Sequence, residues 1–284
     1  MSIPIRVALI GLGRMGQTVA RDLLKNARIK IVLVATRSGS EKVGRNLGDI
    51  LGLPSQNLTV QGSDKLAEYL DILRPEIIID FTTPEASLHN LKIAAKRGVH
   101  MVVGTTGFTD LQMDTLRCLA SKYRVSLVLA PNLSTGINIL MSLAKKVASI
   151  VPGFDVEIIE EHHRFKKDAP SGTAIRLGET VARELGINPR KGLVFGRDLG
   201  SKDDGRKVFI HSIRSGGIIG VHKIVFVSDN ERIELKHASL NRSAFTDCLL
   251  EVIEFVHVNT PGVYTVENIL GLDSSGKHYE EDIV

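Results

Sequence analysis

The segment Glu160-Glu161-His162-His163-Arg164-Phe165-Lys166-Lys167-Asp168-Ala169-Pro170-Ser171-Gly172-Thr173 is the densest polar stretch of the chain. Histidine and lysine are the side chains that give or take protons near neutral pH once their surroundings tune them. The stretch begins where an apolar strand pattern ends and finishes at Pro-Ser-Gly-Thr, a helix start whose first amides have no partner within the helix. Amides of Gly172 and Thr173, with His162, His163, Arg164, Lys166 and Lys167 upstream, would suit a small dianion. The same composition also fits a solvated loop leading into an ordinary helix cap. His237 and Arg242, further along, mean little alone.

A second motif lies near the N-terminus. Gly11-Leu12-Gly13-Arg14-Met15-Gly16 fits G-x-G-x-x-G between a strand and a helix, where glycines let the backbone approach a pyrophosphate seated on the helix N-terminus. NAD-binding folds normally place a carboxylate about 20 positions further on to take the ribose hydroxyls. Thr36 stands there, followed by Arg37, Ser38 and Lys42. Without that carboxylate a 2′-phosphate meets less repulsion, and Arg37 could pair with it bidentately, so NADPH is favoured and NADH stays open. Gly104-Thr105-Thr106-Gly107 and Ala130-Pro131-Asn132-Leu133 follow later strands, where such sheets bind ligands, and offer hydroxyls and amides to a nicotinamide carboxamide.

The elements that must carry these motifs are readable from apolar runs. Val7–Gly11, Ile31–Thr36, Ile77–Phe81, Met101–Gly104 and Leu127–Ala130 lack polar alternation, as strands covered on both faces do. They alternate with helical stretches such as Gln17–Lys25 and Pro84–Lys96, which predicts an α/β, doubly wound parallel sheet over residues 1–132. Residues 133–240 read as a second, α+β domain. It has strands at Val156–Ile159, Val208–Ile213, Ile218–Val227 and Ile233–His237, and a helix over Thr173–Leu185. A further apolar helix spans roughly Ala244–Val258, and the Gly196–Lys207 loop is expected to be mobile.

Composition narrows the function classes. A formal charge of +4 on 284 residues does not call for nucleic acid. No apolar run approaches the roughly 20 residues of a membrane span. Cys118 and Cys248, 130 positions apart, suit neither a disulfide framework nor a metal site. Both are expected to be buried in a soluble, cytoplasmic protein without a metal.

The residues also resemble a known family. His162-His163-Arg164-x-Lys166-x-Asp168-Ala169-Pro170-Ser171-Gly172-Thr173-Ala174 looks like the signature of dihydrodipicolinate reductases. The likeness extends through Arg14-Met15-Gly16, Asp80-Phe81-Thr82, Gly104–Phe108, Asn132–Asn138, Arg214-x-Gly216 and Gly220-x-His222. The resemblance implies a Rossmann-like domain, a substrate-binding and oligomerisation domain that builds a homotetramer, and a segment, 241–284, returning to the first domain. It implies NAD(P)H-dependent reduction of 4-hydroxy-tetrahydrodipicolinate, a small dicarboxylate, in lysine and diaminopimelate biosynthesis. His162 and Lys166 then match the proton-transfer positions, and His163, Gly172 and Thr173 the substrate-binding ones. Gly11, Leu12, Gly13, Arg14, Met15, Gly16, Arg37, Gly104, Thr105, Thr106, Ala130, Pro131, Asn132 and Leu133 match the cofactor positions. Three positions depart from the family pattern. The glycine loop is one residue shorter than the usual G-x-x-G-x-x-G, Thr36 replaces an acid, and Leu133 replaces a frequent Phe.

Two other readings remain. A different two-domain NAD(P)-dependent dehydrogenase would not need the cation cluster before Ser-Gly-Thr. A dinucleotide sensor would not need His162 and Lys166.

Overall fold

The computed structural model describes residues 3–197 and 206–272. Positions 198–205 of the Gly196–Lys207 loop lie outside the described residues. The chain divides into two compact units, Met1–Leu133 with Phe245–Val284, and Ser134–Ala244. Among the described residues, no helix is long and apolar enough to cross a membrane.

The first unit runs β1 (Ile5–Ile10), α1 (Arg14–Leu23), β2 (Ile29–Thr36), α2 (Leu47–Leu51), β3 (Gln61–Gly62) and α3 (Leu66–Leu73). It continues with β4 (Ile77–Asp80), α4 (Pro84–Ala95), β5 (His100–Val103), α5 (Asp110–Tyr123) and β6 (Leu127–Leu129). The second unit holds α6 (Thr135–Ile150), β7 (Asp155–His162), α7 (Gly172–Glu184), α8 (Pro189–Gly192), β8 (Leu193–Phe195), β9 (Val208–Arg214), β10 (Val221–Val227) and β11 (Arg232–Ala238). The chain then re-enters the first unit with α9 (Leu249–Val258), β12 (Val263–Thr265) and α10 (Val266–Ile269).

In the first unit the strand order is β12-β6-β5-β4-β1-β2-β3, with every pairing parallel. This is the doubly wound sheet that the apolar runs predict. Its strands lack polar alternation because both faces are covered. In β1, Val7 and Leu9 join a core with Val19, Ala20 and Leu23 of α1 and Val252 and Ile253 of α9. Ala8 and Ile10 face the other way, toward Leu66, Leu91 and Leu116 of α3, α4 and α5. Burial of Cys248 follows from its place at the start of α9, and burial pushes its thiol up to about 12. Cys118 is exposed, contrary to expectation: Leu116 and Ala120 form the inward side of α5, and position 118 points away from it.

The second unit has a mixed sheet, β11-β10-β7-β9-β8, with β7, β9 and β8 parallel and β10 and β11 antiparallel. Helices α6 and α7 cover one face, sealing Val156, Ile158, Val208, Ile210, Ile224 and Phe226 beneath them. Sequence reading misses α6, although Ile137, Leu140, Met141, Ala144 and Ala148 recur at helical spacing and all are buried. A short 3-10 turn, Arg242–Phe245, precedes α9, which therefore starts later than the expected Ala244.

Candidate functional site

The polar cluster of the second unit grows directly out of its core. Along β7 the inward residues are Val156, Ile158, Glu160 and His162, so the buried face changes from apolar to ionisable halfway along the strand. The neighbouring strands change with it. Glu160 pairs in register with Ser212 of β9 and His222 of β10, and His162 with Arg214 of β9. The expected proton-transfer histidine therefore sits at the end of a buried face among other polar groups.

Glu160 is completely buried. One of its oxygens, Oε2, contacts His162 Nδ1, and the other accepts from Arg214 Nη2 at 2.6 Å and from the Ser171 amide at 3.1 Å. Burial by itself would raise the Glu160 carboxyl. Hydrogen bonds from His162, Arg214 and Ser212 outweigh it and hold the group at about 2. His222, 4% exposed, packs edge-to-face on His162 with ring centroids 5.4 Å apart. Its Nε2 lies 3.1 Å from Ser171 Oγ. Burial first, then the neighbouring His162, push His222 down to about 3, so it stays neutral.

Ser171 caps α7 by accepting from the Ala174 amide at 3.2 Å. Gly172 at the helix start is exposed and Thr173 half-buried, so the first turn of α7 presents amides that suit a carboxylate. Lys166 pairs with Asp168 at 2.7 Å, and Arg214 Nη2 also reaches the Asp168 carbonyl at 2.5 Å. Burial would raise the Asp168 carboxyl, but the Lys166 hydrogen bond, a backbone hydrogen bond and the charges of Lys166 and Arg214 together lower it. His163 lies beside the exposed Phe165, with ring centroids 6.4 Å apart. The structure thus gathers His162, His163, Lys166, Gly172 and Thr173 in one unit. It adds Glu160, Arg214 and His222, which sequence reading did not number among the site residues. The signal for Glu160 was present, since strand alternation puts it on the same face as Val156 and Ile158.

The first unit contains a cavity of about 680 Å³ lined by Gly11, Leu12, Gly13, Thr36, Arg37, Ser38, Ser40, Lys42 and Asp64, among others. Each glycine of the loop meets a different constraint. Gly11 has φ +93°, and a Cβ there would lie 2.3 Å from the Phe81 carbonyl oxygen; at Gly16 it would lie 1.9 Å from the Gly11 carbonyl oxygen. A Cβ at Gly13 would meet nothing within 4 Å, so this backbone faces open space. Turn, ligand approach and helix packing are the three tasks of a dinucleotide loop, and the cradle fits that group. Lys42 Nζ donates to the Leu12 carbonyl at 2.9 Å, placing a cation over the loop.

Arg37 lines the cavity as expected. So does Asp64, which no sequence argument selected; its carboxylate takes a short hydrogen bond from Ser38, which lowers it. Asp64 therefore brings a carboxylate to the same cavity that Thr36 lines. Arg14 and Met15 open α1 at its surface, and Gly16 is buried against the loop. Gly104, Thr105 and Thr106 follow β5, and Ala130, Pro131, Asn132 and Leu133 follow β6; Ala130 and Leu133 belong to the core. Thr105 is fixed by Asp80, buried at the end of β4. Asp80 accepts from Thr105 Oγ1 at 3.0 Å, Thr82 Oγ1 at 2.7 Å, Ser87 Oγ at 2.5 Å and Asn90 Nδ2 at 2.7 Å. Among the described residues, no group of three His, Cys, Asp or Glu is arranged to hold a metal ion.

Comparison with known proteins is consistent across the chain. Residues 5–133 match the family described as dihydrodipicolinate reductase, N-terminus, and residues 136–270 match dihydrodipicolinate reductase, C-terminus. The 4-hydroxy-tetrahydrodipicolinate reductase of Hahella chejuensis is 38% identical over 270 residues, covering 94% of this chain and 99% of that protein. The enzyme of the same name from Methanocaldococcus jannaschii is 35% identical over 272 residues, covering 95% and 98%. Among solved structures, a dipicolinate-bound dihydrodipicolinate reductase from Paenisporosarcina sp. TG-14 superposes with a TM-score of 0.73 at 29% identity, over 94% of this chain and 100% of that one. An amine dehydrogenase from Mycobacterium smegmatis, 19% identical with a TM-score of 0.62 over 93% and 95% of the two chains, shares the fold.

Proposed function

The chain belongs to the dihydrodipicolinate reductase family, and from that premise we propose how its residues divide the work of the reaction. It is an oxidoreductase that carries out the 4-hydroxy-tetrahydrodipicolinate reduction step of lysine and diaminopimelate biosynthesis. The Glu160–His162–Arg214–Ser171 cluster at the N-terminus of α7 carries the assignment of roles.

In this reading the first unit is the dinucleotide-binding domain. Gly11, Leu12, Gly13, Arg14, Met15 and Gly16 form its loop, and Gly104, Thr105, Thr106 and Ala130–Leu133 complete the site. When bound, NAD(P)H supplies the hydride. Arg37 and Lys42 favour a 2′-phosphate and hence NADPH, while Asp64 with Ser38 gives the ribose hydroxyls of NADH an acceptor.

The second unit binds the dicarboxylate, as suits a family with a dipicolinate-bound member. Amides of Gly172 and Thr173 take one carboxylate at the positive end of α7, and His163 and Arg214 add charge and hydrogen bonds. Hydride addition leaves one proton to be delivered to the ring. His162 and Lys166 are placed for it, and such a positioned acid contributes about 10²–10⁴-fold.

Among the described residues, the same unit leaves the sheet face opposite α6 and α7 without helices, and Ile213 is exposed on it. We place the homotetramer contacts there and the enzyme in the cytoplasm; light scattering of the purified chain tests the assembly. The activity is tested by making the substrate in place from aspartate semialdehyde, pyruvate and the preceding synthase while reduced-cofactor absorbance is followed. Consumption that depends on the synthase is expected. No consumption with either cofactor, from folded protein that binds dinucleotide, would overturn the reading.

A further inference from the structure

Glu160 anchors the cluster but has been given no task of its own, and it is a completely buried charge with three hydrogen-bond partners. It lies on the inward face of β7, directly beyond Val156 and Ile158, where alternation would ordinarily place an apolar side chain. A buried carboxylate persists only when donors surround it. Here the donors come from three elements, namely His162 of β7 itself, Arg214 of β9 and the Ser171 amide at the cap of α7. Each belongs to a different part of the proposed chemistry: the proton-transfer ring, a cation, and the helix start that receives a carboxylate.

The contact also decides which ring nitrogen is free. The carboxylate is ionised and has no hydrogen to give, so across the Glu160–His162 bond the hydrogen must sit on Nδ1. The proton that His162 exchanges is then the one on Nε2. His222, neutral and packed edge-on against the same ring, cannot substitute for the carboxylate as an anionic acceptor.

We propose that Glu160 is the positioning residue of the proton-transfer centre, holding a hydrogen on His162 Nδ1 so that Nε2 is the nitrogen that takes up a proton and then delivers it to the substrate ring, and tying Arg214 and the α7 cap to the imidazole. This inference rests on the reading of His162 as the proton-transfer residue. It differs from a purely structural role for Glu160, which any well-packed hydrogen-bonding side chain would satisfy.

The test begins with the unmodified full-length enzyme labelled with ¹⁵N-histidine, His162 being assigned by loss of its signals in His162→Gln. The neutral ring should show a protonated Nδ1 and a bare Nε2; the opposite tautomer overturns the proposal without any Glu160 variant. Glu160→Gln and Glu160→Asp are then compared in the coupled assay. Glu160→Gln, whose amide can donate back to the ring, is expected to lower kcat by about 10²-fold or more, the behaviour of a histidine left in the wrong tautomer. Its affinity for NADPH, read by fluorescence, should change less than about twofold, since the dinucleotide loop is untouched. Glu160→Asp, which keeps the charge, should recover part of kcat and the Nδ1–H signature. Equal losses in both variants with an unchanged ¹⁵N pattern would mean a structural role only and overturn the proposal. If Glu160→Gln fails to fold, the tautomer of the unmodified enzyme and the Glu160→Asp rates decide. Full activity of His162→Gln would instead defeat the reading of His162 itself, so the two failures are distinguishable.

Discussion

On the proposed division of roles, the two units prepare for their ligands by opposite means. In the dinucleotide-binding unit the essential features are spaces: a left-handed glycine, a missing Cβ against a carbonyl, and open backbone at Gly13. Around them lies a cavity whose Arg37, Ser38 and Ser40 are loop side chains. In the substrate unit the essential features are buried charges, and Glu160 joins three elements through one carboxylate. A site made of backbone shape resists changes of charge and fails when volume is added. One made of buried electrostatics tolerates little change of charge, because each partner left behind is desolvated and unpaired.

The largest expected effect falls on the electrostatic site. His162→Gln and Lys166→Ala should each lower kcat by about 10²–10⁴-fold while leaving NADPH affinity nearly unchanged, as removal of a proton donor predicts. Fluorescence titration beside the coupled assay checks this. If cofactor affinity fell in step with kcat, the separation of the two sites into independent machines would be broken.

Adding volume tests the shape-based site. Gly13→Ala should leave the thermal midpoint of the free protein unchanged, since its Cβ meets nothing. It should weaken cofactor binding by about 10–100-fold if the pyrophosphate approaches that backbone. Gly16→Ala, whose Cβ would overlap the Gly11 carbonyl, should lower both the midpoint and the affinity. Equal behaviour of the two variants would remove the distinction between a ligand-facing and a packing glycine.

These contrasts also explain what could be read in the sequence. The parallel sheet was legible because both faces of β1 are apolar and each helix carries a spaced apolar side. The glycine loop was legible because its constraint is local, with Gly11 meeting Gly16 five residues away. Asp64 was not, because the cavity is closed by two loops far apart in the chain and only the fold brings Ser38 to it. Arg214 and His222 were visible as part of the family likeness, but their place in the site was not, for the same reason. Each is an ordinary polar residue on a strand until register places it opposite His162 or Glu160. Glu160 and α6 were missed although their periodicity was visible. Residue type alone does not separate Glu160 from the charged run that it begins; only the alternation of β7 sets it on the inward face.

A smaller effect concerns cofactor choice. Arg37→Ala should weaken NADPH by about tenfold relative to NADH, the loss of one charge-assisted pairing. Asp64→Asn should move the ratio the other way by removing a carboxylate from the cavity. Paired dissociation constants for both cofactors decide it. No change in either ratio would mean that the adenosine end lies elsewhere than the Arg37–Asp64 side of the cavity.

The smallest effect per step is a pH dependence of stability, and its sign follows from two buried groups of the substrate unit. His222 is held near 3 in the folded chain against an ordinary 6.5. Above 6.5 it is neutral in both states. As pH falls below 6.5 the unfolded chain takes up a proton that the folded chain refuses, so stability declines. Glu160, held at about 2 against an ordinary 4.5, adds its own decline only below 4.5. One such proton is worth at most about 1.4 kcal/mol per pH unit. His100 of the other unit is lowered by burial and acts in the same direction as His222. Denaturant midpoints of the unmodified chain, His222→Gln and His100→Gln at pH 7.5, 5.5 and 4 on the usual scale of side-chain titration therefore separate the units. Loss of slope above 4.5 in His222→Gln locates it in the buried polar face, whereas loss only in His100→Gln would assign it to the dinucleotide-binding sheet.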